Sequence, residues 1–197
     1  MRNQMKSGNL VMPDPTTAYA GILQTSQTCP TAIQPLTNQR ATVTSAINTL
    51  VYNVGSYYPE TYIPGGLIWG VNIVSPPAPF TEGQAYDTNN KEPKKVIVLM
   101  TDGANTLYSN SSGNIATANA TQLATTYTNQ ESICTYAKGK KIEIYVIGLG
   151  VTDATALQKL QSCATDSAHY FDAQNANDLI SAFEIIGGKL SVVRLMQ

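Results

Sequence analysis

An aspartate directly after a hydrophobic strand is the residue of this chain best placed to do chemistry. Residues 94–103 read KKVIVLMTDG, a run of five apolar residues closed by Thr-Asp-Gly. Such a run predicts a strand buried on both faces of a parallel sheet. Asp102 then follows the carboxyl end of that strand, which is the edge where open α/β sheets bind ligands. We therefore expect the Asp102 carboxylate to lie in a binding or catalytic site.

The composition is that of a folded domain without a nucleic-acid partner. The chain has 197 residues, enough for one domain, and 43% of them are hydrophobic. Charged residues make up only 13%, and Thr, Ser, Asn and Gln replace them, as is typical of secreted and surface proteins. A net charge of −1 gives no electrostatic reason to expect binding to nucleic acid or to an anionic membrane. The sequence also lacks a run long enough to span a bilayer, and its first residues lack the apolar stretch of a signal peptide. An exported protein would need a signal outside these residues.

The cysteines leave two interpretations open. Cys29, Cys134 and Cys163 form no CxxC pair, and the chain has a single histidine, which argues against a zinc site. All three cysteines can be buried thiols. Alternatively, Cys134 and Cys163, each near the end of a predicted helix, form a disulfide. Cys29 then has no partner here, and an odd cysteine in an exported protein indicates a mate elsewhere.

Alternating strand and helix patterns follow an irregular start. Residues 1–36 contain four prolines and no apolar period, which predicts an irregular N-terminal segment ahead of a domain over 37–197. The predicted helices are one capped by Thr37, one over 66–74, one over about 115–138, one capped by Asp153 and one over 177–195. The predicted strands lie over 96–100, 142–147 and 169–171, and a polar insertion is expected at about 75–93. This order predicts a three-layer α/β domain with a mostly parallel, doubly wound, Rossmann-like sheet. Because this class usually has about five or six strands, we expect the sheet to be incomplete.

A second loop carries the residues that suggest a family. Residues 60–67, ETYIPGGL, form a loop rich in Gly and Pro that contains Thr61. Together with Asp102, this loop resembles two of the three metal-binding loops of the von Willebrand factor A domain. That family binds Mg²⁺ or Mn²⁺ with an Asp-x-Ser-x-Ser loop, a Thr loop and a Thr-Asp-Gly loop, leaving open positions for a partner's carboxylate. Thr61 matches the Thr loop and Asp102 the last loop, whereas no Asp-x-Ser-x-Ser motif occurs in the chain.

Longer blocks resemble the TadG-like proteins of the bacterial Tad (Flp) pilus machinery. These blocks include TYIPGGLIWG at 61–70, VLMTDGANT at 98–106 and IEIY at 142–145, and the resemblance covers about residues 28–197. In that family an N-terminal membrane helix holds the domain outside the cytoplasmic membrane, in the periplasm or at the surface. The resemblance implies that the membrane anchor, the first strand and the Asp-x-Ser-x-Ser loop lie upstream of these residues. It further implies a metal-dependent, non-catalytic protein-binding module in pilus assembly or surface adhesion.

The resemblance also gives each candidate residue a role. Thr61 and Asp102 would be ligands of Mg²⁺ or Mn²⁺, with Gly103 allowing the tight turn. Tyr62 and Asn105 would line the rim that meets a protein partner, a pilus or envelope component. Two alternatives stay open: a metal-free remnant of such a domain, and a hydrolase that uses Asp102. Because the sequence has neither a Gly-x-Ser-x-Gly elbow nor a phosphate loop, we expect no enzymatic activity.

Overall fold

The fold was analysed in a computed structural model that describes residues 5–6, 9–10, 33–50, 60–77, 80–109 and 115–192. Cys29 lies outside the described residues. The α-helices and strands are β1 (Met5–Lys6), β2 (Asn9–Leu10), α1 (Arg40–Asn48), α2 (Ile63–Val74), β3 (Val96–Thr101), β4 (Leu107–Ser109), β5 (Ile115–Thr117), α3 (Ala120–Gly139), β6 (Glu143–Leu149), α4 (Ala154–Cys163), β7 (Tyr170–Ala173) and α5 (Ala176–Val192). One turn of 3-10 helix, Ser167–His169, precedes β7.

A parallel sheet in the order β3–β6–β7 forms the centre of the fold. The β3–β6 register runs from Val96 opposite Glu143 to Thr101 opposite Gly148, so the carboxyl ends of both strands meet at one edge. Helices α3, α4 and α5 follow β3, β6 and β7 along the chain, as expected when long crossovers join parallel strands. The predicted fold class, an α/β domain with a partial parallel sheet of three strands and flanking helices, is confirmed.

Hydrophobic side chains cover the two faces of the sheet separately. On one face, Ile144 and Val146 of β6 are fully buried in a core that includes Leu67 of α2, Ile133 of α3 and Leu160 of α4. On the other face, Tyr145 and Ile147 belong to a smaller cluster with Ala182 and Ile186 of α5. Because successive residues of a strand point to opposite faces, β6 is apolar on both faces after Glu143 and is the middle strand of the sheet.

Strand β3 is covered on one face only, so the prediction of burial on both faces is wrong. Ile97 and Leu99 are buried in the larger core, but Val98 and Met100 are 39% and 50% exposed. The register places Val98 and Met100 on the same face as Tyr145 and Ile147, which α5 covers. Helix α5 packs on β6 and β7, whereas β3 is an edge strand of the described sheet.

The predicted start of the long helix at about residue 115 is also wrong. Helix α3 begins at Ala120 because Asn119 and Gln122 form a capping box, in which each side chain accepts a hydrogen bond from the other residue's backbone N–H. Residues 115–117 instead form β5, which pairs antiparallel with β4. A hairpin thus stands where the sequence predicted a loop followed by helix.

Three further boundaries differ from the prediction. Helix α1 begins at Arg40 rather than after Thr37, and its apolar residues Val43 and Ile47 are exposed. Helix α2 begins three residues earlier than predicted, since Pro64 fits the first turn of a helix, where its missing N–H costs no hydrogen bond. The short antiparallel pair β1–β2 lies within the segment predicted to be irregular.

A disulfide joins helices α3 and α4. Cys134 and Cys163 are bonded, with 5.2 Å between their Cα atoms, and both residues are buried. The pairing confirms the disulfide interpretation of these two cysteines rather than three buried thiols. It fixes α3 against α4 at the end of the sheet opposite to Asp102, because Thr165, two residues after Cys163, hydrogen-bonds to Ile144 at the start of β6.

Removing the disulfide is expected to lower the free energy of unfolding by about 2–4 kcal/mol, because the bond closes a long loop in the unfolded chain. The double variant Cys134→Ala/Cys163→Ala, compared with the intact protein by urea denaturation, measures the loss. The single variant Cys29→Ala controls for removal of a cysteine outside the pair. Free thiols at both Cys134 and Cys163 in protein isolated without reductant would contradict the pairing.

Candidate functional site

Asp102 is exposed just beyond the carboxyl end of β3, as the sequence predicted. The turn that carries it is held by Thr101, whose hydroxyl donates to the Gly103 carbonyl at 3.0 Å and accepts from the Gly103 N–H at 3.3 Å. Among the described residues the Asp102 carboxylate has no hydrogen-bond or ion-pair partner. The turn therefore presents an unpaired negative charge at this edge of the sheet.

Thr61 lies beside this turn, although it is far from Asp102 in the sequence. We call residues 60–62 the Thr61 loop and residues 102–106 the Asp102 loop. The Thr61 carbonyl accepts from the N–H groups of Thr106 and Leu107 at 2.9 and 3.2 Å, and the Thr61 N–H donates to the Thr106 hydroxyl at 2.8 Å. A methyl group added at Gly103 would lie 3.8 Å from the Thr61 hydroxyl. The structure thus brings the two predicted metal ligands into one site.

Asn105 lies beneath the site rather than on its rim, which corrects its predicted position. The residue is only 3% exposed. Its side-chain oxygen accepts from the Ile63 N–H at 2.8 Å, and its side-chain nitrogen donates to the Gln130 side-chain oxygen at 2.9 Å. The side chain is therefore committed to neighbouring groups within the protein. Sequence reasoning missed Gln130, whose only signal was a polar residue among the inward-facing positions of α3.

Tyr62, the other predicted rim residue, is half-buried at the start of α2. Burial raises the pKa of its hydroxyl, and a hydrogen bond with the Ser109 side chain opposes that rise. Ser109 is the last residue of β4. Tyr62 therefore joins the Thr61 loop to the β4–β5 hairpin and is partly accessible to solvent.

The β4–β5 hairpin forms a wall beside the Thr61 loop. The Thr117 hydroxyl of β5 donates to the Glu60 carboxylate at 2.9 Å. On the other side, the Thr126 hydroxyl of α3 donates to the Leu107 carbonyl at 3.0 Å. Together these bonds hold the hairpin between α3 and the Thr61 loop. The hairpin therefore forms part of the protein surface next to the site.

The donor chemistry at the site suits a hard divalent cation, but the described residues supply few ligands. A threonine hydroxyl and an aspartate carboxylate are oxygen donors of the kind that Mg²⁺ prefers, and Mg²⁺ often uses only one or two carboxylates with several waters. Within the described ranges, no group of three His, Cys, Asp or Glu side chains is placed to hold a metal ion. Thr61 and Asp102 therefore fit Mg²⁺ or Mn²⁺ in type, while a tight site needs further oxygen donors.

Comparison with protein families identifies the domain. Residues 2–184 match the model of the von Willebrand factor type A domain. The chain belongs to this family. The match includes the Thr61 loop, the Asp102 loop and the whole described parallel sheet, so both loops occur in their family context.

Solved structures of the pilus adhesin SpaC from Lactobacillus rhamnosus GG share the fold. The open conformation is 15% identical to this chain and a second crystal form is 14% identical, each with a TM-score of 0.50. Each alignment covers 79% of this chain and 21% of SpaC, so the chain spans about a fifth of the adhesin's length. No curated protein matches the chain. Within the described residues, no helix is both long and apolar enough to span a bilayer.

Gly103 does not need to be glycine for its backbone conformation. Among the described glycines, Gly150 has a positive φ, at +62°, and Gly103 does not. We expect Gly103→Ala to raise the free energy of unfolding by about 0.4–1 kcal/mol, because it restricts the unfolded chain without a clash. The matched variant Gly150→Ala should lower it by about 1–2 kcal/mol, because alanine is strained in the left-handed region. Urea denaturation measures both, and an equal loss in the two variants would contradict this account.

Proposed function

We propose that this von Willebrand A domain is a non-catalytic protein-binding module whose contact with a partner depends on a divalent cation. The proposal rests on the position of the Thr61 hydroxyl beside the turn that carries the exposed Asp102 carboxylate, at one edge of the sheet. Ligands bind at this edge in open α/β sheets. The cation is Mg²⁺ or Mn²⁺, since both prefer oxygen donors of this kind.

Each residue has a separate task in this proposal. Asp102 provides the negative charge that attracts the cation, and Thr61 provides a neutral oxygen. A bound cation supplies positive charge with open positions for a carboxylate of the partner. The exposed part of Tyr62 adds contact area next to that carboxylate. In this proposal neither Asp102 nor Thr61 acts as a nucleophile or general base, and no catalytic step is involved.

The cellular setting is proposed from three observations. The blocks around Thr61 and Asp102 resemble TadG-like proteins of the Tad (Flp) pilus machinery, and SpaC, which shares the fold, is a pilus adhesin. The Cys134–Cys163 disulfide favours an oxidising compartment outside the cytoplasm. We therefore propose that the domain works in the bacterial cell envelope, outside the cytoplasmic membrane, as part of a membrane-anchored protein. Its partner is a pilus or envelope component.

A metal-free remnant is the second candidate, and one observation favours it. The chain contains no Asp-x-Ser-x-Ser motif, and the described site offers two ligands. Such a remnant would keep the fold while binding a partner, if any, without a cation. The two candidates differ in whether Asp102 and a divalent cation matter to binding.

Replacing Asp102 tests the proposal in cells that carry the intact gene. With Asp102→Ala, Mg²⁺-dependent attachment of the cells should fall to the level that EDTA gives in the wild type, because the cation loses its charged ligand. Glu184→Gln on the exposed face of α5 removes one negative charge far from the site and should attach as the wild type does. Attachment is counted at equal amounts of surface protein, measured by immunoblot. Mg²⁺-dependent attachment that persists in Asp102→Ala would overturn the metal role.

A further inference from the structure

Two buried amide side chains form a hydrogen-bonded relay beneath the Thr61 loop. Asn105 is 3% exposed and Gln130 is 0% exposed. The Ile63 N–H donates to the Asn105 side-chain oxygen at 2.8 Å, and the Asn105 side-chain nitrogen donates to the Gln130 side-chain oxygen at 2.9 Å. The relay therefore connects the first residue of α2, the Asp102 loop and the middle of α3.

The Ile63 N–H fixes the direction of the relay. A backbone N–H only donates, so Asn105 must turn its oxygen toward Ile63 and its nitrogen toward Gln130. The side-chain oxygen of Gln130 must then accept the hydrogen bond from Asn105. As a result, the side-chain nitrogen of Gln130 has no hydrogen-bond partner among the described residues. Burying a polar atom without a partner is unfavourable, whereas an apolar side chain of the same size would avoid that cost. What Gln130 provides is thus an acceptor for the buried side-chain nitrogen of Asn105, whose orientation the Ile63 N–H sets.

Helix α3 holds the Asp102 loop and the start of β4 at two further points. The backbone of Asn105 hydrogen-bonds to the Tyr127 hydroxyl, and the Thr126 hydroxyl donates to the Leu107 carbonyl at 3.0 Å. One turn after Gln130, Cys134 cross-links α3 to α4. The helix is therefore a fixed support against which residues 105–107, and through them the Thr61 loop, are set.

We propose that Asn105 and Gln130 are positioning residues that hold the Thr61 loop, and with it the Thr61 hydroxyl, beside the Asp102 turn and so determine the site's affinity for a divalent cation. The link to cation affinity rests on the proposed function. The positioning itself rests on the relay alone. Neither residue touches the cation or the partner, because both are buried beneath the site.

Hydrogen exchange in two variants of Gln130 tests the positioning. Gln130→Met keeps the size of the side chain and removes the acceptor for Asn105. Gln130→Glu keeps an acceptor oxygen, because a carboxyl group buried there without a cationic partner takes its protonated, neutral form. In Gln130→Met, exchange of the Ile63 N–H should become about tenfold faster relative to that of Ile144 in the centre of β6. Gln130→Glu should restore the wild-type ratio. An unchanged ratio in Gln130→Met, including equal acceleration of both amides, would overturn the proposal by showing that Gln130 only fills the core.

Cell attachment then tests the link to the cation. The Mg²⁺ concentration for half-maximal attachment should rise several-fold in Gln130→Met and return toward the wild-type value in Gln130→Glu. A wild-type Mg²⁺ requirement in Gln130→Met, when Asp102→Ala abolishes attachment, would overturn the role in cation affinity. If the exchange result holds and Asp102→Ala attaches normally, the relay stands as a positioning device and the proposed function fails.

Discussion

The hydrogen bonds between residues 61–63 and 105–107 are the constraint on which the whole site depends. They join two loops that are more than forty residues apart in the sequence, through the backbone of Thr61 and the N–H of Ile63. Without them, the Thr61 hydroxyl would have no fixed position relative to the Asp102 turn. Because four of these five bonds use backbone atoms of residue 61, the main chain sets the position of Thr61, and its hydroxyl has no hydrogen-bond partner among the described residues.

The sheet and the disulfide also help to fix the position of the Asp102 loop. The β3–β6 pairing fixes where β3 ends, and so the point at which Asp102 leaves the core. Helix α3 holds the Asp102 loop through Tyr127 and Gln130, and the disulfide at Cys134 fixes α3 in turn. The elements that build the core therefore also place the candidate ligands, with few interactions that serve only the site.

Long hydrophobic patterns made the sheet predictable, and short or distant interactions explain what was missed. Five consecutive apolar residues mark β3 and four mark β6, and the turn after β3 placed Asp102 at the sheet edge. The β4–β5 hairpin escaped because strands of three residues show no usable alternation. The second strand of the hairpin, β5, lies in a segment whose alanines and threonines also suit a helix. Only the capping box at Asn119 decides where α3 begins.

Burial of single residues was harder to predict than the elements themselves. An asparagine after Thr-Asp-Gly-Ala is ordinarily a solvated loop residue. The buried side chain of Asn105 is instead satisfied by two distant groups, the Ile63 N–H and the Gln130 side-chain oxygen. Likewise, Val98 and Met100 belong to a run that suits a central strand, yet their exposure depends on which elements lie across the sheet. Both cases depend on contacts between distant parts of the chain, which the local hydrophobic periodicity cannot predict.

Paramagnetic broadening by Mn²⁺ in the NMR spectrum of the ¹⁵N-labelled chain tests the central claim most directly, because it locates even a weakly held cation. The account predicts that the amide signals of Thr61 and Gly103 broaden at the lowest Mn²⁺ concentrations, and that Asp102→Asn prevents this. The claim would be contradicted if those signals kept their intensity while signals near other exposed carboxylates, such as Asp172 and Asp178, broadened first.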